Sequence, residues 1–224
     1  MNVPTISQYL LSTCLFAIDD FNSAYKNLSK DDLKLISDKK YNELDITVKL
    51  GYPFRQMVNY GFGDKKRQGY KTNHDLFVES KDFIVEVKYL KNWNCNSGTQ
   101  SASKSWSEYQ KDFDWLIREI ENGYKHKRAF VIGWFNCVES ISQYLQLGTG
   151  SGSKPLINEE RFSYFPFLRK TKSPTYTSDI AYNYERAYME LSLDLIGEKN
   201  PNCNCLFLGN EEDVFHFAIF YWFI

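Results

Sequence analysis

Asp75, Glu86 and Lys88 are the residues whose types and spacing in this sequence could do chemistry together. They lie on two β-type runs, DLFVE from Asp75 and FIVEVKYL from Phe83, joined by Ser80, Lys81 and Asp82 as in a hairpin. A tight turn through Lys81 and Asp82 pairs Ser80 with Phe83, Phe77 with Glu86 and Asp75 with Lys88. Residues opposite one another share a face, so Asp75, Glu86 and Lys88 project from one side of the sheet. Leu76, Val78, Val85 and Val87 occupy the other side. A one-residue slip would invert one strand and scatter the set.

Gathering these charges has an energetic consequence. Unit charges ~4 Å apart at an effective dielectric of about 20 interact by about 4 kcal/mol, so Asp75 and Glu86 repel. Lys88 offsets part of this, and a divalent cation between the carboxylates would offset more; oxygen ligands suit Mg²⁺ or Mn²⁺. Such a cation could stabilise charge developing on a phosphate and activate a water, with Lys88 orienting that water or the phosphate. The bland alternative is a solvent-facing strand whose VEVK run makes an ordinary cross-strand ion pair.

The surrounding elements must hold this hairpin. Apolar residues keep a helical period from Ile6 to Leu28. Ser29 with Asp32 marks the start of a second helix, Lys30 to Leu50, stopped by Gly51 and Pro53. Phe54 to Tyr60 fits a short helix or a strand equally. After the hairpin, Trp106, Tyr109, Phe113, Leu116, Ile117 and Ile120 share a face of a helix ending at Gly123, and AFVIGWF from Ala129 reads as a strand covered on both faces. The GTGSGS run from Gly148 is a flexible segment, a lid or linker. Beyond it, Ser178 to Gly197 carries a helical period, and Leu206–Leu208 and Val214–Ile224 read as strands around a turn at Gly209 to Asp213.

At 224 residues, with 43% apolar and 25% charged side chains, the chain suits one domain with an appendage. A net charge of −1 and a pI near 6.3 exclude a uniformly basic nucleic-acid coat, so any polyanion contact must be local. Lys65, Lys66, Arg67 and Lys71, a net +3 after Asp64, are the candidate nucleic-acid contacts, with a solvated loop as the alternative. Five scattered cysteines fit a reducing compartment better than a disulfide framework, and Cys203-Asn-Cys205 lacks the second ligand pair that zinc needs. The three dispersed histidines give no zinc-hydrolase motif. An N-terminal apolar stretch broken by Asp19 and Asp20, and a C-terminal apolar run too short for a bilayer, point to a cytoplasmic protein without a membrane span.

Asp75, ten intervening residues, then Glu86-Val87-Lys88 resembles the PD-(D/E)xK, or restriction-endonuclease-like, nuclease superfamily. The resemblance covers roughly Lys30 to Phe135, with His74 where the family often has Pro and with the first strand of the family's meander unassigned. It implies an α/β (α+β) fold, with a mixed central sheet flanked by helices. The core would span about residues 30–147 of one nuclease domain, preceded by an N-terminal helix. A C-terminal helix/strand extension at about 155–224 would serve recognition or dimerisation. It also implies catalytic roles for Asp75, Glu86 and Lys88, with Mg²⁺ or Mn²⁺ on Asp75 and Glu86. Glu43, ahead of Asp45, matches an accessory acid on the preceding helix. Gln110 matches the first residue of a Gln-then-Tyr pattern found in exonuclease-like relatives, but Asp114 stands where the Tyr would be. The implied activity is DNA endonucleolysis, and a homodimer would let two copies of one site cut both strands. An RNA-cleaving, toxin-like nuclease and a non-catalytic nucleic-acid-binding module that retains the fold are the alternatives.

Overall fold

The computed structural model of the chain describes residues 4–60, 74–91, 102–138, 141–149, 155–195 and 203–222. Its first helix, α1 (Ile6–Tyr25), buries Ile6, Leu10, Cys14, Ala17, Ile18 and Phe21, the stripe expected from the 3.6-residue period. The single helix expected over Lys30–Leu50 is instead two, α2 (Lys30–Lys39) and α3 (Glu43–Gly51). Ser29 caps α2 by accepting the Asp32 N–H. The break comes at Asn42, whose extended backbone and side-chain acceptor for the Asp45 N–H start α3 afresh, while Asp45 returns a bond to the Asn42 N–H. A periodic apolar pattern runs through such a break unchanged, which is why the sequence read as one helix. Both alternatives for 54–60 occur in succession: a 3₁₀ turn over Tyr52–Met57, then β1 (Val58–Tyr60), the strand the sequence left unassigned.

β2 (Leu76–Val78) and β3 (Phe83–Leu90) form the expected antiparallel hairpin, but the turn is wider. Glu79–Lys81 make a 3₁₀ turn closed by Asp82 in the left-handed conformation, φ 56°, so Val78 rather than Ser80 pairs with Phe83. The register thereby moves by two residues, which preserves the face of every side chain. Buried Arg128 fixes this turn: Nη1 donates to the Asp82 carbonyl at 2.6 Å and Nε to Glu119 at 2.7 Å.

Next come α4 (Ala102–Glu121) and β4 (Arg128–Phe135), followed by a helical turn α5 (Ile141–Tyr144). Gly148–Thr149, part of the GTGSGS run, forms β5 and pairs with β6 (Leu156–Ile157); residues 150–154 lie outside the described residues. A helical turn α6 (Glu159–Phe162) leads to β7 (Leu168–Lys170). The helix expected over Ser178–Gly197 does not form in its described part. β8 (Ile180–Tyr182) pairs with β7, and β9 (Glu190–Ser192) pairs with β10 (Cys203–Leu208). Short apolar spacings there satisfied the helical template, but neighbouring strands offer the backbone partners that decide the outcome. β11 (Phe215–Trp222) completes the C-terminal hairpin, turning through Gly209 at φ +124°, where a Cβ would meet the His216 ring at 2.5 Å.

The central sheet is mixed, with order β1-β2-β3-β4-β11-β10-β9; β3 and β4 are parallel and the other pairs antiparallel. The fold is α+β, a mixed central sheet flanked by helices. The segment expected as a C-terminal appendage therefore supplies three strands of the sheet itself. One face packs under α1–α3, around Phe21, Leu50, Val87 and Phe217. The other packs under α4 and the 156–191 segment, around Tyr109, Phe113, Phe130 and Phe207. Cys14, Cys137, Cys203 and Cys205 are buried free thiols. Among the described residues no helix is long and apolar enough to cross a membrane.

Candidate active site

β2 is three residues long, and its pairing with β3 ends at Leu76 opposite Val85. β3 continues past that point, and among the described residues no strand pairs with its outer edge there, where backbone groups need other partners. Two carboxylates do so. The Val87 N–H donates to Asp75 Oδ2 at 2.8 Å, and the Tyr89 N–H donates to Glu43 Oε2 at 3.3 Å. The break between α2 and α3 puts Glu43 at the first position of α3, from which it reaches β3. The early end of β2 is thus what converts Asp75 from a ladder residue into a cap on its neighbour.

Carrying the observed register one step further sets Asp75 opposite Glu86, two residues from the tight-turn expectation and on the same face. Burial and the charge of Glu86 push the Asp75 pKa up to about 6, against the Val87 N–H and Lys88, which pull it down. Glu86 is held by His74 Nδ1, and the His74 ring lies 5.3 Å from Trp115 on α4. His74, adjacent to Asp75 in sequence, therefore bonds one of the two carboxylates.

Lys88 sits among acids. Its Nζ is 3.3 Å from Asp112 Oδ2 and 4.0 Å from Glu43 Oε2. Burial acts to lower its pKa, but Glu43, Asp112 and Asp75 outweigh that and raise it, so Lys88 is a fixed ammonium. Burial also raises Glu43, and raises Asp112 to about 6 despite Lys88.

The structure brings together Asp75, Glu86, Lys88 and Glu43, and adds His74 and Asp112. It does not bring in Gln110. That residue is two positions from Asp112, about 200° around an α-helix, and so falls on the opposite flank of the buried stripe of α4. Asp112 carried a weak signal: Glu108, Asp112 and Trp115 recur at helical spacing beside the apolar stripe, a flank that faces the site only once α4 is docked. His74 carried none beyond adjacency to Asp75. Lys65, Lys66, Arg67 and Lys71 lie outside the described residues.

Among the described residues no three His, Cys, Asp or Glu side chains form a group arranged to hold a metal ion. The donor set nonetheless suits one class of cation. Mg²⁺ is commonly held by one or two carboxylates and keeps several waters, so a third protein ligand is not required. Two carboxyl groups opposite one another on paired strands, one with its pKa raised by burial and by the charge of the other, are an arrangement that a divalent cation would relieve. Asp75 and Glu86 fit such an ion, with Glu43 nearby.

No protein-family model, curated protein or solved structure matches this chain.

Proposed function

We propose that the chain is a metal-dependent nuclease that hydrolyses phosphodiester bonds in DNA, with a restriction-endonuclease-like core. The observation that carries this reading is the convergence of Asp75, Glu86 and Lys88 on one face of the β2–β3 hairpin, with the two acids opposite one another and a lysine held as the ammonium beside them. The element order supports it: such a core has a helix, a three-stranded antiparallel meander, a helix and a further strand, and α3, β1-β2-β3, α4 and β4 follow in that order here.

Asp75 and Glu86 would hold Mg²⁺ or Mn²⁺, and the bound ion would supply Lewis acidity toward the phosphate and an acidified water. The remaining roles belong to the chain. Asp75 keeps Oδ2 on the Val87 N–H, which fixes its carboxyl plane. His74 holds one oxygen of the Glu86 carboxyl group. Lys88, kept charged by its acidic neighbours, is suited to binding a non-bridging phosphate oxygen or orienting the attacking water, and unsuited to taking a proton from it.

The test is cleavage of supercoiled plasmid, linear duplex and structured RNA with Mg²⁺ or Mn²⁺, against EDTA and against Asp75→Ala and Lys88→Ala. Metal-dependent cutting lost in both variants is the expected result, with DNA preferred. RNA cutting alone would keep the chemistry and change the substrate. No cutting on any substrate, with no divalent-ion binding by calorimetry, would leave a binding module.

A further inference from the structure

We propose that Asp112, on α4, is a positioning residue for Lys88: its carboxylate fixes the ammonium where phosphodiester chemistry needs a stationary positive charge. The proposal rests on the nuclease reading and adds a group from outside the hairpin.

Lysine is a flexible four-carbon stem, and fixing one costs up to about 2 kcal/mol of rotamer entropy, so a useful ammonium needs a partner to hold it. Three carboxylates surround Lys88, but two have other work. Asp75 accepts the Val87 N–H and Glu43 the Tyr89 N–H, whereas the bond made by Asp112 goes to Lys88, at the shorter of its two ion-pair distances, 3.3 Å against 4.0 Å for Glu43. The pair is also the more shielded one. The Lys88 and Asp112 side chains are each 22% exposed, against 42% for Glu43, so solvent and salt screen it less.

Both ends stand on rigid elements. Asp112 is flanked on α4 by Tyr109, Phe113 and Leu116, all buried against the sheet. Lys88 lies beside Ile132 of β4 in the parallel ladder, and Ile132 packs into the same core. A side chain held between two such elements keeps its position better than one on a loop.

The variant to make is Asp112→Asn, which keeps the size and one acceptor but removes the charge. With Mg²⁺, kcat should fall about 10- to 100-fold while KM and the unfolding midpoint stay near wild type. Asp112→Glu should restore part of the loss, and Lys88→Ala/Asp112→Asn should cut no slower than Lys88→Ala alone. A readout free of activity is the ¹H–¹⁵N resonance of the Lys88 ammonium, assigned by its loss in Lys88→Ala. Slow proton exchange should be visible in the wild type and lost in Asp112→Asn. An active wild type with an equally active or faster Asp112→Asn, or with effects of the two substitutions that add, would overturn the proposal while leaving the nuclease reading standing. A wild type that cuts nothing would remove that reading. The Lys88 resonance would then still decide: no change in Asp112→Asn overturns the contact, and its loss upholds it.

Discussion

The two halves of the central sheet are built on opposite terms. Around β4 and β11 the strands pair along their length, almost every side chain is buried, and rings fill both faces: Phe215 and Phe217 on one, Trp134, Phe207 and His216 on the other. Around β2 and β3 the pairing stops early, and the open edge is closed by acids that also face one another across the site. The first region gathers groups that suit burial, and the second gathers groups that resist it. Charge conflict of this kind is tolerated where it does work, and a well-packed neighbour can carry its cost.

The comparison breaks most easily in activity. Asp75→Ala, Glu86→Ala and Lys88→Ala should each lower cleavage by roughly 10²- to 10³-fold or more, read as initial rates with Mg²⁺. The same variants should unfold near the wild-type midpoint. Stability should respond the other way round. Phe217→Ala, at a fully buried position in β11, should cost about 3–5 kcal/mol in urea unfolding, with the cleavage rate of the remaining folded protein little changed.

Acid should then separate the halves by sign. Burial pushes the His216 pKa down to about 4, so the folded state binds fewer protons than the unfolded one between about 6.5 and 4. Its contribution to stability is lost as pH falls through that window, on the order of 3 kcal/mol in all. Asp75 and Asp112, raised to about 6, bind protons more readily folded than unfolded, so they add stability as pH falls from about 6 to about 4. In EDTA the wild type should show a shallow profile over this range, and Asp75→Asn a steeper acid loss. A steeper slope in the wild type would break the comparison. The smallest effect expected is at neutral pH. Asp75→Asn keeps an acceptor for the Val87 N–H and removes a like charge beside Glu86, so it should raise stability by about 1 kcal/mol in EDTA while cleavage is lost.

Within the site, sequence alone set the common face of Asp75, Glu86 and Lys88, because strand alternation is a period of two and the error in the turn was also two. It also determined α1, the run of β4, the C-terminal hairpin and the apolar stripe of α4, each a local pattern that packing could reinforce. What lay beyond local pattern was decided by contacts between distant segments. Asn42 divides one apolar period into two helices, and only the docked position of α3 shows that Glu43 caps β3. Residues 180–182 and 190–192 are strands because β7 and β10 offer them partners. Lys88 and Asp112 lie in different elements and meet because β3, β4 and α4 pack together. A side chain's periodicity records which face it lies on, whereas its partner across a gap depends on how that face is docked, and docking is settled by burial summed over the whole core.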